Sequence, residues 1–475
     1  MTLYNMMTMA GFDFGTTTSS AVFARANVVK NGITGSMEYG TPEIFYAAEP
    51  KYTPFLGNRI DDLALASYID AWIREANIGP HGASAGGAIV TGLAAQKENS
   101  KSITTLIRAR IGDAMVATAN DPSLESWLAF MGSARGLSRE LSDRPVINID
   151  IGGGTTNIAL GINGEVRSTG CIFIGARHVQ VVAGTYQIQA LSQFAHKLFA
   201  YLGVIKGVGE TLTEQEIDAI TDFYLIMLRR TLGGRSLEFN ACEAFHEQVR
   251  FTMPSDLLHS ASDHAITVSG GVGELIYRAL AGESNVTVTP FGDLGWNLAL
   301  KLIKDEWLLA SFKKYIPKNM GRATAFGLAL HSTEVSGTTV FLPPEPILPL
   351  TDLPVVARIT NHTTAIDIIK ALELAAKSHH GAAIQIEGHM KGLSEVQSFA
   401  AAIANALHRS NYPTNKPLVL LIKGNVGKTL GSLITSWGCD PFRLVVIDEV
   451  SLRDANFVNV GKITQQIIPI SFYGM

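Results

Sequence analysis

The sequence predicts an α/β protein of two related lobes followed by a smaller C-terminal α/β domain. Three observations carry this expectation. The stretch Val146-Ile147-Asn148-Ile149-Asp150-Ile151-Gly152-Gly153-Gly154-Thr155-Thr156-Asn157-Ile158 leads apolar residues into a carboxylate, then three glycines that allow a tight turn, then hydroxyls and an amide before apolar residues resume. The same order of strand, Asp, Gly turn and strand stands near the N-terminus in Ala10-Gly11-Phe12-Asp13-Phe14-Gly15-Thr16-Thr17-Thr18-Ser19-Ser20-Ala21-Val22-Phe23. Finally, Pro343 to Pro354 holds five prolines in twelve residues, and strand-like and helix-like segments alternate beyond it.

Either Gly turn alone fits an ordinary hairpin. As a pair they suggest pseudo-duplicated halves that grip one polyphosphate from both sides, with backbone N–H groups and hydroxyls converging on the anion. Asp150, and by repetition Asp13, is placed to hold a hydrated divalent cation instead of touching the anion directly. A Rossmann dinucleotide site is a poorer match: neither turn has the GxGxxG spacing, and Thr-rich, β-tolerant sequence follows where that motif opens a helix.

A length of 475 residues exceeds what one core supports and suggests two to four domains. With 47% hydrophobic and 17% charged residues the chain can bury substantial cores, and its 45 glycines imply many tight turns. A formal net charge of −4, without a basic run flanked by aromatics, gives no electrostatic reason to expect nucleic acid or an anionic membrane as partner. The 3 cysteines, Cys171, Cys242 and Cys439, form no close pair, which fits reduced thiols in a cytoplasmic compartment and argues against a Cys-built metal site. Met1 to Met9 lacks the basic leader and apolar length of a signal peptide, and no apolar run reaches transmembrane length.

In chain order, Ser20 to Val28 reads as a strand, and Leu65, Ile69 and Trp72 mark a helix over Asp61 to Trp72. Gly87 to Gly92 is a short strand running into another Gly turn, Ser102 to Ile111 is helix-like, and Val116 to Ala119 is a strand. Asp121-Pro122-Ser123-Leu124-Glu125 starts a helix reaching about Ser133, with an early proline and an acidic first turn. Glu125 and Asp150 are separated by that helix and a polar linker, so both can line one cleft. Glu125 then reads either as a water-polarising group or as an ordinary first-turn carboxylate.

An Asn163-Gly164 turn joins the next strands, expected at Val166 to Thr169 and Cys171 to Ile174. Thr185 to Leu202 is expected to be largely helical, Thr213 with Glu216 forms a capping box for a helix reaching Leu228, and a second helical body covers Arg235 to Val249. Ala265 to Ser269 is a strand that meets Gly270-Gly271-Val272-Gly273-Glu274 at the start of a helix ending near Leu280. Glycines at such a point admit a flat ring and the helix N-terminus favours phosphate, so Gly270, Gly271 and Gly273 read as the nucleoside wall. Phe291 to Gly295 opens the next helix, and Gly321 to Leu330 is a small-residue helix suited to packing behind the cleft. Past the proline-rich segment, helices at Ile366 to Ala376 and Glu395 to Leu407 alternate with strands at Ala383 to Ile386, Leu418 to Ile422 and Arg443 to Ile447, and Phe457 to Phe472 reads as terminal β structure.

Gly424-Asn425-Val426-Gly427-Lys428-Thr429 imitates the end of a P-loop, but that motif requires glycine where Ile422 stands. A strand-to-helix Gly turn with Lys428 on the surface is the expected reading, and Asp448 with Glu449 are expected to form a polar rim or partner contact. The histidines, including His178, His246, His259, His331 and His379-His380, lie in unrelated segments and give no support to a zinc hydrolase.

The trio around Asp13, Asp150 and Gly270-Gly271 resembles the actin, sugar-kinase and heat-shock-chaperone ATPase superfamily. More closely, nearly the whole chain resembles the EutA family, the reactivating factors of adenosylcobalamin-dependent ethanolamine ammonia-lyase. The matching segments are Asp13 to Thr18, Ala88 to Gly92, Leu124 to Ser126, Asn148 to Asn157, Ser269 to Glu274, Arg322 to Thr324, Gly424 with Gly427-Lys428 and Leu430-Gly431, and Val446 to Val450. The resemblance implies a two-lobed actin-like ATPase fold, a ribonuclease H-like motif duplicated, with lobes at 1–144 and 145–342 and a C-terminal domain at 343–475. It also implies an ATP-driven, chaperone-like protein that helps expel damaged cobalamin from the lyase.

In that reading Asp13 and Asp150 position Mg2+ and water. Gly15, Thr16, Thr17, Thr18, Gly152, Gly153, Gly154, Thr155 and Thr156 contact phosphates, Gly270 and Gly271 abut the nucleoside, and Glu125 takes the water-polarising position. The expected partners are ATP or ADP and ethanolamine ammonia-lyase, with neither nucleic acid nor membrane insertion. A homodimer and association with an ethanolamine-utilisation microcompartment remain open. Two departures from the family pattern are Leu93, where an acidic residue is usual, and the shifted Gly/Ala pattern at Gly327-Leu328-Ala329. A small-molecule kinase of the same superfamily and a nucleotide-sensing scaffold are the competing readings.

Overall fold

A computed structural model describes residues 6–474 apart from 31–36, 58, 79–82, 84, 93, 95–96, 100–102, 104, 107–108, 111–115, 120, 234–245, 256, 258–263, 284–286, 337–338, 346, 389, 391 and 464–466. The first sheet runs Met37–Tyr39, Thr18–Lys30, Met6–Phe14, Ala85–Val90, Val116–Ala119, with the first three strands antiparallel and the last two parallel to Met6–Phe14. The second repeats the plan: Glu165–Ile172, Thr156–Ile162 and Val146–Ile151 are antiparallel, Ala265–Ser269 lies parallel to Val146–Ile151, and Glu247–Val249 adds the far edge. Two sheets of this order are a duplicated ribonuclease H-like motif, so the chain has the two-lobed actin-like α/β fold.

Register places equivalent residues at equivalent points. Asp13 pairs with Ser20 on one side and Ile89 on the other. Asp150 pairs with Asn157 and Ser269. Each Asp therefore sits near the end of a central strand, where the backbone turns out of the sheet.

Helix Asp62–Glu75, capped by the Asp61 side chain on Ala64 N at 3.0 Å, buries Leu65, Ile69 and Trp72 against the first sheet. There Trp72 lies 6.4 Å from the rings of both Phe12 and Phe14. The second lobe has its own core around Ile147, Ile149, Ile158 and Leu160, closed by helix Glu214–Leu232 with its Thr213 and Glu216 capping box. Helix Pro122–Ser133 and helix Ala323–His331 cross between the lobes. A methyl group at Gly132 would lie 1.9 Å from Ala323 O, and one at Gly327 would lie 2.1 Å from Leu128 O. The small-residue pattern around Gly327 therefore falls where two backbones touch.

The third sheet runs Thr333–Ser336, Ile468–Tyr473, Phe457–Val460, Leu350–Thr360, Ala382–Glu387, Leu418–Ile422, Leu444–Ile447. Its last four strands are parallel, linked through helices Ala365–Lys377, Leu393–Arg409 and Gly427–Ile434. Thr333–Ser336 enters this sheet from upstream of the proline-rich segment, and Leu350–Thr360 starts inside it. No described helix is long and apolar enough to cross a membrane.

Several local expectations are corrected. Thr185 to Leu202 is not largely helical: Ile188–Leu191 is a strand, and helix Gln193–Leu202 starts only where Ser192 Oγ accepts Ala195 N at 3.1 Å. The two strands expected at 166–174 are one, Glu165–Ile172, and its Gly170 leaves the room that Phe251 fills. At the end of the expected helical body over Arg235 to Val249, Glu247–Val249 is a strand pairing with Cys171 and Ile172, while 234–245 lie outside the described residues. Leu93 and part of Ser102 to Ile111 also lie outside them.

Candidate functional site

The two Asp-Gly turns have the same construction. Gly15 N donates to Thr18 O at 2.9 Å, and Gly152 N donates to Thr155 O at 2.9 Å, so each turn folds back over four residues immediately after its Asp strand. The sequence permits this because Gly152, Gly153 and Gly154 carry no side chains, while the equivalent Gly15 is followed by three threonines. The turns meet across the lobes: a methyl group at Gly153 would lie 2.1 Å from Thr17 Oγ1.

Between them lies a cleft of about 400 Å³. Asp13, Gly15, Thr16, Thr17, Thr18, Glu125, Asp150, Gly152, Gly153, Gly154, Thr155, Gly270 and Gly271 all line it. Two expected site residues do not. The Thr156 hydroxyl is buried and donates to Ile174 O at 2.8 Å, which commits it to the second lobe's own backbone. Gly273 is buried against Val268, where a methyl would meet the Val268 carbonyl carbon at 3.1 Å, so it serves helix-to-strand packing.

Gly270 needs its glycine. Its φ of 80° is left-handed, and a methyl there would lie 2.6 Å from Ile151 O. The next residue, Gly271, faces open space. Helix Gly270–Leu280 thus presents its N-terminus to the cleft, and Ser269 makes no capping bond with it. Instead Ser269 Oγ donates to Asp150 Oδ2 at 2.6 Å.

Thr91 plays the corresponding part in the first lobe, donating from Oγ1 to Asp13 Oδ1 at 3.1 Å. Thr91 and Ser269 were not singled out as site residues from sequence. The available signal was the hydroxyl-Gly pair ending each parallel neighbour strand, Thr91-Gly92 and Ser269-Gly270. Asp293, Glu274, Arg278 and Arg322 also line the cleft without having been expected there.

Three acids stand at the centre, Asp150 buried and Asp13 and Glu125 half-buried. Burial, then the charge of Asp150, pushes Asp13 up to about 7, while the Thr91 bond pulls the other way. Burial likewise raises Asp150 to about 6 against the opposing Ser269 bond. Glu125, in the first turn of helix Pro122–Ser133, is held well above the ordinary carboxylate range by burial and then by the charges of Asp13 and Asp150, with an Asn157 hydrogen bond opposing.

Such crowding of desolvated acids is a deficit of positive charge. Among the described residues no three His, Cys, Asp or Glu side chains cluster closely enough to hold a metal by themselves. Paired carboxylates in a cleft beside Gly- and Thr-rich turns instead fit Mg2+, which keeps several waters and is held by one or two carboxylates together with substrate oxygens.

The second Gly-rich turn, before Lys428, is built differently. Gly427 N at the start of helix Gly427–Ile434 donates to Asp448 Oδ2 at 2.8 Å, so a buried carboxylate caps the helix end where a phosphate would have to sit. Asp448 is therefore a buried cap and not the polar rim expected. Glu449 accepts from Met37 N at 3.2 Å and from the Asn425 amide, tying this edge to the first lobe. His178 is buried and neutral, its pKa lowered to about 4 by burial, with Nδ1 2.8 Å from Ser192 Oγ.

Comparison with known proteins gives concordant results. A family model described as "Ethanolamine utilisation protein EutA" matches residues 5–472. The ethanolamine ammonia-lyase reactivase EutA of Salmonella typhimurium strain LT2 is 28% identical over 474 residues, spanning 95% of this chain and 94% of that one. The protein of the same name from Escherichia coli K12 is 28% identical over 481 residues, with the same coverage of 95% and 94%. Among solved structures, the ethanolamine utilization protein EutJ from Carboxydothermus hydrogenoformans is similar with a TM-score of 0.32 at 13% identity, over 68% of this chain and 89% of that one.

Proposed function

Because the chain belongs to the EutA family of ethanolamine utilisation proteins, we propose that it is the reactivating factor of an adenosylcobalamin-dependent ethanolamine ammonia-lyase, and that ATP hydrolysis in the inter-lobe cleft drives release of damaged cobalamin. The observation that carries the ATP reading is the convergence of two like-built turns, after Asp13 and after Asp150, on one cleft with Glu125. Residues 1–144 and 145–342 serve as the clasping lobes and 343–475 as the additional domain, whose sheet also takes in Thr333–Ser336.

Thr16, Thr17, Thr18 and Thr155, with the N–H groups of both turns, bind the phosphates. The open face at Gly271 and the N-terminus of helix Gly270–Leu280 receive the nucleoside end. Asp13 and Asp150 would hold Mg2+, with Thr91 and Ser269 fixing one oxygen of each carboxylate. When bound, the ion supplies charge neutralisation for the phosphate oxygens. Glu125 orients the water that attacks the terminal phosphorus and takes up its proton as the bond to the ADP oxygen breaks; desolvation and the neighbouring acids raise its proton affinity, which suits a proton acceptor. Most of the rate comes from positioning and charge and not from a covalent intermediate.

The test is to incubate the protein with cyanocobalamin-inactivated lyase, adenosylcobalamin, ATP and Mg2+. Deamination should recover with ATP and not with a non-hydrolysable analogue. No recovery with the cognate lyase would reject the assignment, and recovery without nucleotide would reject the ATP-driven step.

A further inference from the structure

Arg177 stands directly after Gly175 and Ala176, in a segment laid against the second phosphate turn. Ala176 N donates to Gly152 O at 3.1 Å and Arg177 N donates to Gly153 O at 2.6 Å, so its backbone moves with that turn. Across the cleft, Tyr52 is fastened to the other turn in the same manner. It pairs with Thr18, and the adjacent Thr53 donates from its N–H to Thr17 O at 3.0 Å and from Oγ1 to Gly15 O at 2.7 Å.

The two side chains meet. The guanidinium carbon of Arg177 lies 5.9 Å from the centre of the Tyr52 ring, within cation–π range, and Tyr52 lines the cleft. Arg177 Nη1 is buried and, among the described residues, has no hydrogen-bond partner. Nearby Asp293 feels the Arg177 charge, but its Oδ1 is engaged by Gly295 N at 2.9 Å.

We propose that Arg177 and Tyr52 form a latch, each end fixed to one phosphate turn, which holds the lobes closed over a bound polyphosphate. The inference rests on the nucleotide reading above and adds to it a residue pair that governs release. Arg177 is a positioning residue whose role is distinct from the chemistry at Glu125.

The test uses the full chain and the release rate of fluorescently labelled ADP in the presence of Mg2+, followed by stopped flow, with a thermal melt for each variant. Tyr52→Leu should release ADP about 2–5-fold faster, as expected for loss of an exposed cation–π contact, and Tyr52→Phe should match wild type because the ring face is kept. Arg177→Met should release it faster by a similar factor, because it removes the other half of the same contact, with Arg177→Lys in between. The double variant should be no faster than Arg177→Met. Release by Tyr52→Leu and Arg177→Met within twofold of wild type, at unchanged melting temperature, overturns the latch alone. Failure of the wild-type protein to bind labelled ADP removes the nucleotide reading and the latch together.

Discussion

The hydroxyl of Thr17, in the first lobe, fills the space beside the α-carbon of Gly153 in the second, where a methyl group would lie 2.1 Å from Thr17 Oγ1. Each phosphate turn thus forms part of the wall of the other, and the lobes meet at the tips of their repeated motifs.

Gly153→Ala should therefore wedge the turns apart. Displacement of the order of an ångström at a site that works by positioning costs about 100-fold in rate. Isothermal titration with Mg-ATP and a turnover assay should show weaker binding and slower hydrolysis, with Thr17→Ser in the same background failing to relieve the clash and Thr17→Gly relieving it. Wild-type binding by Gly153→Ala would mean that the turns do not need this contact.

Asp150→Asn and Glu125→Gln should separate binding from chemistry. Glu125→Gln should keep ATP affinity within a few-fold while turnover falls by about 100-fold or more, the usual share of a general base. Asp150→Asn removes the charge that repels Asp13 across the cleft, so it should melt no lower than wild type while losing Mg2+-dependent turnover. A large drop in melting temperature would point to a structural role for Asp150.

Stability should depend on pH in a direction set by the raised acids. Asp13 at about 7 and Asp150 at about 6 hold protons in the folded chain that they would lose when unfolded, since the ordinary value is 3.8. Their contribution is fully present below about pH 4 and is lost as pH rises through 6 and 7. Scanning fluorimetry of the nucleotide-free protein should show this as a loss between pH 5 and 8 that is shallower in Asp13→Asn, and Mg-ATP should offset it at the alkaline end. Identical slopes for wild type and Asp13→Asn would exclude this coupling.

Gly327→Ala should destabilise the chain by about 1–3 kcal/mol, because the added methyl presses into Leu128 O and the helix has no free side to move toward. Urea unfolding reads this directly. Gly136→Ala, with open space around it, is the control and should be neutral or slightly stabilising.

Much of this architecture was legible because it is written in local chemistry. The Asp-Gly turns, the Thr213 capping box, the Asp121 cap before Pro122 and the Asn163-Gly164 turn are each fixed by residues within a few positions of one another. The convergence of the turns with Glu125 followed from repetition and from the resemblance. What escaped depended mostly on how the elements pack and not on the residue types themselves. Thr156 carries the expected hydroxyl, yet strand register buries it against Ile174, and Gly273 looks like its neighbours but packs on Val268. Asp448 reads as a surface acid until the fold places Gly427 N beside it. The strand at Ile188–Leu191 was masked by a helical pattern that begins only at the Ser192 cap.

Asp121 caps the helix that bears Glu125 through one oxygen, on Leu124 N at 3.2 Å, and with the other receives Gly474 N at 2.6 Å, just beyond the outer-sheet strand Ile468–Tyr473. One carboxylate thus ties the end of the third sheet's last strand in sequence to the first turn of the helix that bears Glu125. A displacement of the chain at Gly474 would pull on the first turn of the Glu125 helix, so a load on the end of Ile468–Tyr473 reaches the cleft through a single hinge pin.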